Sequence, residues 1–325
     1  MSTSSTSLDQ ALALLRAGEL VGIPTETVYG LAADAGNPEA IAKIFAAKGR
    51  PADHPVIVHI AGAEQLADWA TDIPAAAWQL AEAFWPGPLT LILPRKASTP
   101  LAVTGGQDSV GVRAPAHPLT HELLKQFRGG LAAPSANQFG HVSPTTAQHV
   151  RDEFDTATLQ LVLDGGPCEV GVESTIVSLI GAPKLLRPGG VPREAIETLL
   201  GIELEHHQSA SSAKIRASGL LDSHYSPRTP LLTGALDVLR AEAGERVEAG
   251  QKVLLLSFAG TAPQGVSAAV LPDDPEQFAR DIYATLRHYD RKGFAALLLE
   301  NPPQSPAWLA VNDRLRRAAH QKLGG

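Results

Sequence analysis

A layered α/β domain with a mixed sheet, followed by a smaller α/β unit, is the fold class the sequence predicts, and three observations predict it. Short apolar strands alternate with helical stretches through residues 8–202. Two of those strands, STIVSLI and KLLR, are separated only by Gly181-Ala182-Pro183, a spacing that makes a hairpin and so adds an antiparallel pair to the sheet. After Ile202 the chain turns polar in ELEHHQSASSAKIRASGLLDSHYSPRTP, rich in Ser and His and without periodicity, and apolar patterns resume beyond it. The domain boundaries follow: a first domain at 8–202, a linker at 203–230 and a second domain at 231–325.

Ser7-Leu8-Asp9-Gln10 reads as a capping box for a helix over 8–17 that stops at Gly18. ELVGIP is a short buried strand, and Asn37-Pro38 supplies an N-cap and an N1 proline for the next helix. PVIVHI (55–60), LTLIL (89–93), SVGVR (109–113), LAAP (131–134), LQLVLD (159–164), STIVSLI (174–180) and KLLR (184–187) are expected strands. Helices are expected at about 74–84, 118–127, 144–153 and 192–200. Beyond the linker, KVLLLSF, SAAVLP and FAALLLE alternate with helices at about 275–289 and 306–322.

Composition narrows the class. The 325 residues are 44% hydrophobic but only 5% aromatic, so the core is built from Ala, Val, Leu and Ile. The opening residues carry neither a basic n-region nor a small-residue cleavage site, and no run of about 18 apolar residues occurs, so the chain is read as cytoplasmic and without a membrane contact. The single cysteine, Cys168, has no internal disulfide partner and is expected to be a structural thiol. A net charge of −7 repels nucleic acid from the surface as a whole, so an anionic ligand needs a local cluster of cations.

Neither G-x-x-x-x-G-K-[ST] nor G-x-G-x-x-G occurs, so a bound nucleotide needs another cradle. Lys48 and Arg50 in KGRP, Arg113 closing SVGVR and Arg187 in LLRPGG each sit at an element boundary beside Gly or Pro, where a stiff backbone can aim several side chains at one ligand. Taken singly each is an ordinary solvated cation; together they suggest an anion site. PSANQFGHVSP adds Ser135, Asn137 and Ser143, the last before Pro144 and therefore an N-cap, a phosphate contact or both. Glu173 in GVESTI can orient an amine, hold Mg²⁺ or sit in water. Alternation places His59 on the face opposite Val58 and Ile60, close in sequence to His54 and Arg50. His117 and His121 stand four apart, but Pro118 starts the helix and leaves His117 outside it, so no metal site closes there. There is no G-x-S-x-G nucleophile elbow.

PTETVYGL, KGRPADHPVIVHI, FWPGPLT, GVRAPAHP, APSANQFGHVSPT, GVESTIV and LLRPG stand in the order found in the YrdC/Sua5 family, which the chain resembles over about residues 10–200. SHYSPRTP and AVNDRLRRAA resemble the linker and C-terminal domain of the longer, Sua5-type members; where family linkers often read Pro-Gly before the His-Tyr pair, this chain reads Ser218-Gly219. The resemblance implies an open twisted mixed sheet of the YrdC type and a smaller Rossmann-like domain. It implies L-threonylcarbamoyladenylate synthesis from L-threonine, bicarbonate or CO2 and ATP, with pyrophosphate released. The product passes to a separate transferase for t6A37 modification of tRNA. It assigns Thr27, His59, Arg113, Ala133 and Ser174 to L-threonine, and Arg50, His54, Ser109, Ser135, Ser143, Arg187 and Tyr225 to ATP, with Lys48 joining Arg50 at the reacting groups. Mg²⁺ is expected to accompany the triphosphate, with no metal ligands identified. The linker, with Tyr225, is expected to act as a lid. Two competing readings are an RNA-binding module, against which the acidic charge and absent RRM and KH motifs weigh, and a carbamoyl-phosphate enzyme, whose acylphosphatase and zinc-finger segments are missing.

Overall fold

The computed structural model describes residues 3–206, 216 and 225–323. The chain forms two compact units, one of residues 1–139 and 143–220, the other of residues 140–142 and 221–325.

In the first unit, helix α1 (Thr3–Arg16) leads to β1 (Val21–Ile23), β2 (Gly30–Asp34), α2 (Pro38–Lys48) and β3 (Ile57–His59). Short α3 (Leu66–Trp69) and α4 (Ala75–Phe84) precede β4 (Leu89–Pro94), α5 (Leu101–Thr104), β5 (Ser109–Arg113), α6 (Pro118–Phe127) and β6 (Leu131–Ala132). Then come α7 (Ala147–Arg151), β7 (Thr175–Ser178), β8 (Lys184–Arg187), α8 (Arg193–Leu200) and β9 (Glu205–His206). The strands lie in the order β1-β2-β6-β3-β5-β4-β7-β8-β9. Pairs β3–β5, β4–β7 and β8–β9 are parallel and the rest antiparallel, so the sheet is mixed as expected. β5, buried along its whole length, is the central strand of the order.

Several elements have visible local causes. Asn37 caps α2 by accepting from the Glu39 and Ala40 amides, and Gly49 ends that helix in the left-handed region at φ 61°. α1 and α6 cover one face, packing Leu8, Leu12 and Leu15 with Leu123, Leu124 and Leu131; each fully buried leucine contributes about 1.5–3 kcal/mol.

The structure corrects four expectations. α1 begins at Thr3, so Ser7 lies inside the helix: tertiary packing of Leu8, Ala11 and Leu15 extends it past the weak formers Ser and Thr. LQLVLD forms no strand, because it meets β1 only at an isolated parallel bridge, Gly22↔Val162. The helix expected at 144–153 shortens to α7, capped by Thr146, whose side chain accepts from the His149 amide; Ser143 is therefore not its N-cap. β2 was not foreseen: GLAAD lacks alternation because it is buried on both faces, reading as a featureless small-residue run.

The second unit is a five-stranded, wholly parallel sheet in the order β12-β11-β13-β10-β14, made of β10 (Leu231–Gly234), β11 (Val253–Ser257), β12 (Ser267–Val270), β13 (Ala296–Glu300) and β14 (Gln321–Lys322). Its helices are α9 (Leu236–Glu248), α10 (Pro275–Asp290) and α11 (Leu309–Ala318). Parallel strands buried on both faces explain why VLLLS and ALLLE are continuous apolar runs. Among the described residues no helix is long and apolar enough to cross a membrane.

The turn after β8 tests how tightly the site is built. A Cβ on Gly189 would lie 2.3 Å from the Glu173 carbonyl oxygen and 2.4 Å from the Thr175 nitrogen, both backbone atoms. Gly189→Ala is therefore expected to cost about 1–3 kcal/mol of stability through overpacking. A urea unfolding midpoint equal to wild type would contradict this.

Candidate active site

Alternation along β5 turns Ser109, Gly111 and Arg113 to one face of the sheet, and the register continues that face across its neighbours. On one side Ile57 pairs with Gly111 and His59 with Arg113; on the other Ile92 pairs with Gly111. Thr90, two residues before Ile92, shares the face, and its hydroxyl lies 2.8 Å from that of Ser174, the residue before β7. One end of the face is thus polar and the middle apolar.

The polar end centres on Arg113. Its Nη2 donates to Glu26 Oε1 at 2.6 Å, its Nη1 to Thr27 Oγ1 at 3.0 Å and its Nε to the Gly87 carbonyl at 3.3 Å. Both partners of the ion pair are buried, with side chains 5% and 7% exposed. PTETVYG supplies the acceptors because it makes a tight turn: Thr25 Oγ1 donates to the Val28 carbonyl and lies 2.8 Å from Thr27 Oγ1. Thr120 of α6 anchors the turn by donating to the Pro24 carbonyl. FWPGPLT supplies the Gly87 carbonyl from a loop with a cis Trp85–Pro86 bond, tied back by Gly87 N–H donating to the Ala114 carbonyl.

His59 lies beside Arg113 with Nδ1 3.3 Å from the Ile57 carbonyl. Burial, and then the charge on Arg113, push its pKa down to about 3, so the imidazole is neutral at physiological pH. Ala133, nearly buried, is held by its amide donating to the Ile57 carbonyl. Thr27, His59, Arg113, Ala133 and Ser174, the residues the resemblance assigned to threonine, are therefore all placed by β3, β5 and the strand ends around them.

The residues assigned to ATP are placed less uniformly. Arg187 is buried, and its Nε and Nη2 donate to the Ser174 carbonyl while Nη2 also reaches Ser174 Oγ. Ser143 donates to Glu173 Oε1 at 2.6 Å; both are buried, so Glu173 does not sit in water. Arg50 donates from Nη2 to the Pro55 carbonyl, and His54 packs its ring on Phe139 with its pKa lowered by burial and then by Arg50. Lys48 is buried and donates to the carbonyls of Ser135 and Asn137, clamping the PSAN loop. Burial, then Arg50, hold its pKa well below the usual lysine value. Tyr225 belongs to the second unit, where it is buried at φ 67°, stacks on Tyr283 at 5.8 Å and lies under Arg314.

Reading the sequence missed Glu26, Thr90, Gly111 and Arg216. Glu26 stands between Thr25 and Thr27, of which only Thr27 was singled out, and its burial is the signal that was absent. Gly111 leaves the floor of a pocket open: a Cβ there would come within 3.1 Å of Ile92 Cδ1. Ile57, Ile92 and Ile176 line that pocket with Ser109 and Arg216. Arg216, of the linker, donates from Nη1 to Asp53 Oδ2 at 3.0 Å and from Nη2 to the Gly105 carbonyl at 2.8 Å. Its backbone exchanges two bonds with the Gln107 side chain. Of the expected lid, residues 207–215 and 217–224 lie outside the described residues. Among the described residues no group of three or more His, Cys, Asp or Glu could hold a metal. Cys168 is a buried free thiol pushed up to about 12, chiefly by burial.

Residues 13–189 match the model of the Sua5/YciO/YrdC family, described as telomere recombination, which covers more than half of the chain. The chain belongs to that family. Residues 191–320 match a second model, described as threonylcarbamoyl-AMP synthase, C-terminal domain. Among its relatives, the threonylcarbamoyl-AMP synthase of Pyrococcus abyssi is 41% identical over 323 residues, covering 96% of this chain and 94% of the relative. That of Bacillus subtilis is 40% identical, covering 98% and 94%. The crystal structure of P. abyssi Sua5 complexed with L-threonine superposes with a TM-score of 0.90 at 40% identity, covering 97% of this chain and 95% of that one. E. coli YciO, at 19% identity and a TM-score of 0.50, shares the fold over 58% of the chain.

His59 gives a pH signature. Its folded pKa is lowered, so below about 6.5 the unfolded chain takes up a proton that the native site refuses, and this contribution to stability is lost as pH falls from about 6.5 towards 3. His59→Asn is expected to show a shallower loss of stability between pH 6.5 and about 4, measured by denaturant midpoints. Parallel profiles for the two proteins would contradict a neutral, buried His59.

Proposed function

We propose that the chain forms threonylcarbamoyl-AMP and pyrophosphate from L-threonine, bicarbonate or CO2 and ATP, acting as a nucleotidyltransferase. The observation that carries this reading is the Arg113 site. A buried guanidinium beside a neutral imidazole and the hydroxyls of Thr27, Thr90 and Ser174 has the chemistry to take an α-carboxylate and a hydroxylated side chain. The P. abyssi relative, solved with L-threonine, supports that assignment.

The nucleotide falls to the other residues of the same unit. Ser109, Gly111 and the isoleucines around it offer a purine an apolar floor, and the phosphates fall to Arg50, His54, Ser135, Ser143 and Arg187, residues the resemblance assigns to ATP. Tyr225 completes the set in this proposal. Mg²⁺ would enter with the triphosphate and neutralise phosphate charge, and Glu173, which accepts from Ser143, is a carboxylate that could face it.

In this reading the threonine amine, once deprotonated, adds its lone pair to CO2 and gives up a further N–H proton to solvent, leaving a carbamate. A carbamate oxygen then attacks the α-phosphorus, forming the new P–O bond as the bond to pyrophosphate breaks, and pyrophosphate carries away the electron pair. No covalent bond to the protein is needed, so the protein acts by positioning the two substrates and neutralising charge. The product is a labile mixed anhydride, consumed by a separate transferase that places threonylcarbamoyl on adenosine 37 of tRNA; we place the work in the cytoplasm.

Incubation with ATP, Mg²⁺ and bicarbonate is expected to release pyrophosphate on addition of L-threonine and far less on addition of L-serine. Equal release with serine, or with no amino acid, would overturn the assignment. Salt-dependent tRNA binding without ATP turnover would favour an RNA-binding module instead.

A further inference from the structure

We propose that Glu26 is a positioning residue for the reaction: it holds the Arg113 fork in the orientation that receives the amino-acid carboxylate. This rests on the reading that Arg113 is the carboxylate site. A guanidinium has five N–H bonds, and on Arg113 three are committed, to Glu26, Thr27 and the Gly87 carbonyl. The two that remain, one on each terminal nitrogen, match the two oxygens of a carboxylate. Their direction is fixed by the three that are bound, and the shortest of these, at 2.6 Å, is to Glu26.

Glu26 does more than neutralise a charge. Its second oxygen, Oε2, accepts the Ala116 amide at 3.0 Å, so one carboxylate ties the arginine side chain and the backbone leaving β5 to the PTET turn. The same turn presents Thr27 to Arg113, which makes Glu26 the link that sets both walls of the pocket. Its burial keeps water from competing for either bond.

Two effects of removing the Glu26 charge oppose each other, and this makes the proposal decidable. On charge alone, an anion should bind Arg113 more tightly once a competing carboxylate is gone. On orientation, binding should weaken because the fork is no longer held. Glutamine keeps the shape but offers one acceptor oxygen and an N–H2, which faces either Arg113 or the Ala116 amide donor to donor. Orientation should prevail, because both donors are fixed and buried.

The experiment is calorimetric titration of the full chain with L-threonine and, separately, with ATP, for wild type, Glu26→Gln, Glu26→Asp and Arg113→Ala. The dissociation constant for L-threonine is expected to rise about tenfold or more in Glu26→Gln, a charge-assisted bond's worth, with Glu26→Asp between it and wild type and ATP within about twofold throughout. Unchanged or tighter threonine binding in Glu26→Gln, with Arg113→Ala defective, would overturn the proposal while sparing the carboxylate site. Equal losses for threonine and ATP would reduce Glu26 to a general structural role and overturn it too. Wild-type threonine binding in Arg113→Ala would instead remove the reading on which the proposal rests. Should Glu26→Gln not fold, Glu26→Asp poses the same question: a full wild-type affinity there would overturn it.

Discussion

Arg113 closes the central strand of the first sheet with its charge buried, and a buried guanidinium costs several kcal/mol unless it is paired and hydrogen-bonded. Much of the first unit is arranged to meet that demand. PTETVYG turns tightly to bring Glu26 and Thr27 to the guanidinium, α6 anchors the turn, and FWPGPLT loops over β5 to add a carbonyl. Motifs that are far apart in the chain meet because one cation needs acceptors from each of them.

The same burial sorts the other charges. His59 beside Arg113 is neutral, and Lys48, desolvated and close to Arg50, is held far below its usual pKa. Arg113 and Arg187, both buried in the unit, carry planar forks that match carboxylate and phosphate. Lys48 and Arg187 are both turned to backbone carbonyls, of Ser135 and Asn137 in one case and Ser174 in the other, so they shape the loops that carry candidate ligand contacts.

The sequence made the sheet-and-helix alternation legible where periodicity was clean: α4, α6, α8 and the β7–β8 hairpin lie close to their expected positions. It failed where burial erases pattern. β2 is small-residue and covered on both faces, while LQLVLD has strand composition but meets only one residue of β1. The motifs that carry the candidate residues were legible, whereas the pairing of His59 with Arg113 needed the strand register. Glu26 was not legible, because nothing local distinguishes a buried ion-paired glutamate from a solvated one. Arg216 was hidden for a similar reason, since its partners Asp53, Gly105 and Gln107 are distant in the chain.

In the proposed site the orientation of the Arg113 fork, and not its charge alone, receives the carboxylate. Arg113→Lys separates the two, since lysine keeps the positive charge but cannot bond Glu26 and Thr27 while offering a parallel pair of N–H groups. Equilibrium titration of this variant with L-threonine is expected to show a loss of affinity of about tenfold or more with ATP binding retained. Threonine affinity in Arg113→Lys equal to wild type would contradict it.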